Sequence, residues 1–138
     1  MRELTKMWFP EGYVCKYNEK VMALANLIGR KKPGKGYAWD DPEYVILEAG
    51  VDDDMAEVGV AMGYFTRRTA PEMARLTGKS EAYCHEQMMK LAVYGTTFVN
   101  AVDGVDTFWH AESWIPGVME MIVNNLDNVK KYPVVAYA

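Results

Sequence analysis

The strongest constraint on the fold lies in the second half of the chain, where two helices have recognisable beginnings and ends. Thr69 stands three positions before Glu72, the spacing of a capping box, in which each side chain accepts a hydrogen bond from the other residue's backbone N–H. A helix that begins there is expected to end at Gly78, because glycine readily takes the left-handed conformation of a helix end. Ser80 is the expected cap of a second helix, which is predicted to end at Gly95.

Two β-prone runs follow the second helix, at residues 96–99 and 107–109. The segment between them contains Asp103 and Gly104, a pair that is typical of a tight hairpin turn. Two helices joined by a glycine turn and followed by a hairpin are typical of a winged helix-turn-helix. The predicted fold class is therefore mainly α with a small β-hairpin: a winged helix-turn-helix with an N-terminal helical arm and a C-terminal helix.

The 138 residues suggest one compact domain overall. Helical periodicity and capping residues predict three helices before the helix-turn-helix, over residues 18–28, 41–49 and 55–65. A basic run rich in glycine, residues 30–36, is expected to be a mobile loop. The predicted divisions are an N-terminal aromatic arm with helices, the winged helix-turn-helix, and a C-terminal helix with its tail, at residues 1–66, 67–111 and 112–138.

The charge pattern argues against DNA as the main partner. The net charge is −4 and the isoelectric point is about 5.2. Winged helices that bind DNA contact phosphates with Lys and Arg, whereas here Glu81 and Glu86 lie on the second helix and Asp103 and Asp106 lie near the hairpin tip. The side chains expected to face a protein partner or DNA are Arg67, Arg68, Tyr83, His85, Gln87 and Lys90.

No motif in the sequence declares a catalytic chemistry. A phosphate-binding glycine loop, a CxxC pair and an HExxH helix are all missing. Cys15 and Cys84 are far apart, and Cys84 lies on the apolar face of its helix, where a buried structural thiol is expected. We therefore predict no catalytic, cofactor-binding or metal-binding residue. No apolar segment is long enough to span a membrane, and a cytoplasmic location is expected.

Five apolar residues in the last predicted helix are spaced four, three, four and three positions apart, as in two heptads. Two interpretations remain open: this seam packs against the core of its own chain, or it pairs with a second copy. Because an apolar tail follows it, a homodimer is expected. The seam residues are Ile115, Met119, Ile122, Leu126 and Val129.

Several segments carry a resemblance to a known family: the acid-rich helix 52–65, the helix-turn-helix over 69–95, the turn at 103–104 and the run 114–120. Together they resemble the N-terminal winged-helix region of ferredoxin-type 4Fe-4S proteins of anaerobic bacteria, over about residues 18–122. The helix-turn-helix part is also similar to MarR-like and ArsR-like regulators.

The resemblance implies a non-catalytic winged-helix interaction module associated with an iron–sulfur redox protein. Its partner would be another protein or a C-terminal cluster domain. The family's CxxCxxCxxxC pattern does not occur among the 138 residues, so a 4Fe-4S cluster is expected only if the native protein continues past Ala138. The alternative is a dimeric winged-helix transcription regulator that binds DNA.

Overall fold

The computed structural model of the protein describes residues 17–110, 122 and 130–131. Residues 17–110 form five helices and a three-stranded antiparallel sheet, so the prediction of a mainly helical chain with a small β-hairpin is confirmed. In the described ranges, no helix is both long and apolar enough to cross a bilayer. In chain order the elements are α1 (Glu19–Ile28), α2 (Pro42–Gly50), α3 (Asp53–Ala61), β1 (Arg68–Thr69), α4 (Ala70–Thr77), α5 (Glu81–Tyr94), β2 (Thr97–Val102) and β3 (Val105–His110).

The predicted caps of α4 and α5 are confirmed. The Thr69 backbone N–H donates to Glu72 Oε1 at 3.1 Å, and the Glu72 N–H donates to Thr69 Oγ1 at 3.4 Å, which completes the capping box. Gly78 ends α4 with a φ of +74°. Ser80 Oγ accepts from the Tyr83 N–H at 3.1 Å and begins α5.

The predicted end of α3, near Phe65, is wrong. The helix ends at Ala61, with Met62 as its C-terminal cap. Gly63 and Phe65 both have positive φ values, +80° and +44°, which an α-helix cannot accommodate. The apolar side chains of residues 62–65 extend the helical pattern of the sequence, although the backbone has already turned away.

The sheet is larger than the predicted hairpin. Its strand order is β1-β3-β2, and the short strand β1 pairs with β3 through Arg68 opposite Phe108. The strands β2 and β3 are joined directly by Asp103 and Gly104, whose φ values of +53° and +79° fit a two-residue turn with both central residues left-handed. Residues 100–102, which the sequence placed between the strands, therefore belong to β2.

One cluster of buried apolar side chains joins the helices to the sheet, from Val21 in α1 to Phe108 in β3. The helices α1, α3 and α5 pack tightly around Gly59, where an added Cβ would lie 3.0 Å from Leu24 and 3.3 Å from Leu91. A glycine at this position lets the three helices pack together.

Candidate functional site: the hairpin and its two faces

The hairpin has an inner face that is tied to the helices. Thr97 Oγ1 donates to the Met88 carbonyl at 3.3 Å. The ring of Phe108 is fully buried. At the end of β3, His110 Nε2 lies 2.7 Å from the Gly59 carbonyl of α3. The base of the hairpin is thus held by α3 and α5 through both packing and hydrogen bonds.

A second contact joins the start of β3 to α5. His85 Nε2 lies 2.8 Å from Asp106 Oδ2, and both side chains are partly exposed. The His85 ring also meets the Phe108 ring edge to face, with centroids 5.5 Å apart. His85 is therefore engaged by the hairpin of its own chain.

The buried His110 makes folding sensitive to pH. Burial lowers the pKa of His110 below its ordinary value of 6.5, and the hydrogen bond to the Gly59 carbonyl only partly opposes this shift. As the pH falls below 6.5, the imidazole of His110 becomes protonated in the unfolded chain while it stays neutral in the folded chain. Stability is therefore lost as the pH falls, and it is retained above 6.5.

We expect the free energy of unfolding, measured by urea titration, to decrease below pH 6.5 with a slope approaching about 1.4 kcal/mol per pH unit, the limit for one proton. His110→Gln, which keeps a donor for the Gly59 carbonyl, is expected to reduce this slope. His85→Gln is the matched control, because the chain has two histidines. An equal slope in the His110→Gln variant and the unmodified protein would contradict the assignment.

The outer face of the hairpin carries a row of large side chains. Phe98 and Trp109 are cross-strand partners with ring centroids 5.7 Å apart. The register of β1 places Arg67 next in the row, and its guanidinium carbon lies 4.7 Å from the centre of the Trp109 ring. The row presents an aromatic surface that is flanked by one positive charge.

The far end of the hairpin projects beyond the helices. Every residue of β2 after Thr97 is exposed, on both faces of the strand. Phe98, Val102 and Val105 expose 41%, 47% and 45% of their surface. We call residues 98–105 the hairpin ribbon. Its only charged side chain is that of Asp103, and Asp106 follows directly after it.

The outward side of α5 is acidic. Glu81 and Glu86 are exposed, as expected, and Lys90 Nζ lies 3.6 Å from Glu86 Oε1. The expectation that Gln87 lies on this side is wrong, because its side chain is 3% exposed and belongs to the interior. The surface of α5 therefore lacks the amide that we expected to contact a base or a partner.

The other predicted contact residues lie in different surroundings. Arg67 is exposed and Arg68 is half-buried. Arg68 Nε donates to the Met62 carbonyl at 3.1 Å, and its Nη1 lies 4.0 Å from Glu72. Tyr83 is half-buried, with Lys79 Nζ 5.6 Å from its ring centre. Only Arg67 shares the outer face of the hairpin with Phe98 and Trp109.

One member of the predicted dimer seam is described, and it is a core residue. Ile122 is helical, has no exposed surface and belongs to the same cluster as Phe108 and Leu91. The dimer interpretation is wrong for this position, because a side chain buried in its own chain cannot contact a second copy. The remaining seam positions lie outside the described residues: Ile115, Met119, Leu126 and Val129.

The residues present do not fit an iron–sulfur cluster. Such a cluster is held by four cysteine thiolates or a close variant of that set, and the sequence contains two cysteines. Cys84 is fully buried and reduced, as expected, with its Sγ 3.4 Å from Thr77 Oγ1. Across residues 17–110, 122 and 130–131, no group of three His, Cys, Asp or Glu side chains could hold a metal ion.

Sequence reasoning missed the aromatic row. The alternation of Phe98, Asn100 and Val102 along β2 was the available signal, since side chains two positions apart share one face of a strand. The sequence places Trp109 in a strand but does not indicate which face of the sheet its side chain is on, because the register of β1 against β3 is not known from the sequence.

Comparison of the chain with models of known families, with curated proteins and with solved structures gave no match.

Proposed function

We propose that the protein is a non-catalytic winged-helix module that binds a protein partner through its hairpin ribbon. The order of elements from α3 to β3, with β1 and β2 at the two edges of the sheet and β3 between them, supports the winged-helix assignment. The observation that carries the proposal is the ribbon itself, where exposed apolar side chains surround a single acidic residue. An exposed apolar surface of this kind is typical of an interaction site.

The chemistry of the ribbon favours an extended segment of another protein. Within residues 17–110, β2 has β3 on one side and no strand on the other. It contains neither charged residues nor proline, the features by which edge strands avoid pairing. A partner strand could add its backbone hydrogen bonds to β2 and place apolar side chains beside Phe98 and Val102. A basic residue in the partner would complement Asp103.

The surface that would bind duplex DNA is acidic, so it would repel the phosphate groups of the DNA backbone. Glu81 and Glu86 are exposed on α5, and Lys90 is already paired with Glu86. The hairpin tip adds Asp103 rather than a basic residue. The resemblance to ferredoxin-type proteins suggests a redox protein with an iron–sulfur cluster as the class of partner, acting in the cytoplasm.

A photo-crosslinking residue placed at position 98 of the whole chain tests the proposal in cells. We expect cross-links to one discrete protein, and we expect Val102→Lys in the same chain to remove them, because a charge would enter the apolar surface. The matched control is the same residue at position 76, since Leu76 is also exposed but lies on α4. Equal cross-linking from both positions would contradict the proposal.

DNA binding by the purified protein distinguishes the alternative function. Fluorescence anisotropy with a random duplex is expected to give a Kd weaker than about 10⁻⁴ M at physiological salt. Micromolar binding that Arg67→Ala and Arg68→Ala abolish would favour the dimeric transcription regulator. Cross-linking from position 98 to nucleic acid would lead to the same conclusion.

A further inference from the structure

A cavity of about 550 Å³ lies away from the hairpin, between α1, the end of α3 and the loop over residues 30–36. Its apolar wall includes Leu27 and Val60, and the ring of Tyr64 lies beside them. The loop contributes three cationic side chains to the lining: Arg30, Lys31 and Lys32. The cavity thus combines an apolar floor, an aromatic ring and a positive rim.

The loop that carries these cations is held against α1. The Lys31 N–H donates to the Asn26 carbonyl at 2.9 Å, and the Tyr37 N–H donates to Asn26 Oδ1 at 2.9 Å. Gly36 lies so close to the Asn26 carboxamide that an added Cβ would meet it at 2.7 Å. Asn26 therefore fixes both ends of the loop, and the predicted loop has a defined path over the cavity.

Among the described residues, the cations of this loop have no acidic partner in an ion pair. None of Arg30, Lys31, Lys32 and Lys35 forms an ion pair with the part of the chain that the structure describes. The Arg30 guanidinium lies 4.9 Å from the centre of the Tyr64 ring, and Lys31 Nζ lies 4.8 Å from that of Tyr37. The neighbouring halves of α1 and α3 contain no Asp or Glu, so the charges that the described residues place around the rim are positive.

The backbone at the rim also favours a specific role for Arg30. Its φ of +55° lies in the left-handed region, which non-glycine residues adopt at a cost of about 1 kcal/mol or more. Gly29, directly before it, has a φ of −80° that any residue could adopt. The left-handed position after α1 is thus occupied by an arginine, whose side chain is directed to Tyr64 at the cavity.

We propose that this cavity binds a small amphipathic anion, an aromatic or aliphatic body that carries a phosphate or carboxylate group. Its volume is within the range of about 300–1,000 Å³ that is typical of small-molecule sites. The apolar body lies against Leu27, Val60 and Tyr64. The anionic group is held at the rim by Lys31 and Lys32, with Arg30 beside it. The proposal is independent of the function proposed for the hairpin.

Isothermal titration calorimetry with 1-naphthyl phosphate tests this site on the whole protein. We expect saturable binding that Lys31→Gln together with Lys32→Gln weakens by about tenfold or more, because charge-assisted hydrogen bonds are lost. Lys35→Gln is the matched control, since Lys35 is in the same loop but does not line the cavity. The affinity of the Lys35→Gln variant for 1-naphthyl phosphate is expected to stay within about twofold of that of the unmodified protein.

Two further ligands separate the contributions of the body and the anion. Inorganic phosphate and neutral 1-naphthol are each expected to bind at least about tenfold more weakly than 1-naphthyl phosphate. Amide chemical shifts of labelled protein are expected to change mainly at residues 23–36 and 60–64, and the same spectra show that each variant is folded. The proposal would be overturned if 1-naphthyl phosphate did not bind at millimolar concentration. It would also be overturned if Lys35→Gln weakened binding as much as Lys31→Gln with Lys32→Gln, or if inorganic phosphate bound as tightly as 1-naphthyl phosphate.

Discussion

Replacing Phe108 by alanine is expected to lower the free energy of unfolding by about 3–5 kcal/mol, the range for a buried phenylalanine that leaves a cavity. The Phe108 ring has no exposed surface and contributes to the cluster that joins the sheet to the helices. It also forms the edge-to-face contact with His85. Urea titration at neutral pH measures the change in the free energy of unfolding. An unaltered m value, the slope of that free energy against urea concentration, would show that the native fold persists.

Phe98→Ala is the matched control for this substitution, because it removes the same side chain from the opposite face of the same hairpin. Phe98 is 41% exposed, so we expect a loss of about 1 kcal/mol or less. Equal losses in the two variants would mean that the two faces of the hairpin are wrongly assigned. Phe98→Ala is instead expected to impair contact with the partner.

Gly50→Ala is the second substitution with a large expected effect. An added Cβ at Gly50 would lie less than 3.0 Å from three carbon atoms of the Tyr94 ring. This ring is buried, and its hydroxyl donates to the Ile46 carbonyl of α2, so it cannot move aside. We expect a loss of about 1–3 kcal/mol or more, the usual cost of overpacking a core.

Overlap with the Tyr94 ring can be distinguished from the different backbone preferences of glycine and alanine as the cause of that loss. Tyr94→Leu removes the ring that the new methyl group would meet, so Gly50→Ala should be far less costly in the Tyr94→Leu background. A double-mutant cycle by urea titration measures this coupling, which we expect to exceed about 0.5 kcal/mol. Strictly additive losses would show that overlap with Tyr94 is not the cause.

Helix boundaries that depend on local chemistry could be predicted from the sequence. The Thr69–Glu72 capping box, the cap at Ser80 and the turn at Gly78 involve residues within a few positions of each other. Their hydrogen bonds form wherever the chain begins or ends a helix, without help from distant residues. The Asp103–Gly104 turn belongs to the same class, because its two left-handed residues suffice to reverse the chain.

Features that depend on distant residues could not be predicted. The strand β1 is two residues long, and its existence depends on pairing with β3, about forty positions later. Gln87 follows the polar pattern of a solvent-facing position, yet the packing of α5 places it inside. The contact between His85 and Asp106 joins a helix to a strand, so no spacing within either element indicates it.

The dimer seam illustrates the same difficulty in another form. A heptad pattern shows that one side of a helix is apolar, but it does not distinguish burial in the same chain from burial against a second copy. The burial of Ile122 decides the matter for one position, because its side chain has no exposed surface and belongs to the cluster that joins the helices to the sheet. The expected homodimer therefore requires an interface other than this side chain.

The projecting end of the hairpin has a consequence for how this protein evolves. Because no side chain of residues 98–105 belongs to the buried core cluster, substitutions there are expected to leave the packing of α3 and α5 intact. Selection can alter the specificity of the ribbon without lowering the stability that Phe108 and His110 supply at its base. Related chains are therefore expected to diverge fastest in these positions, and new partners can be acquired on an unchanged scaffold.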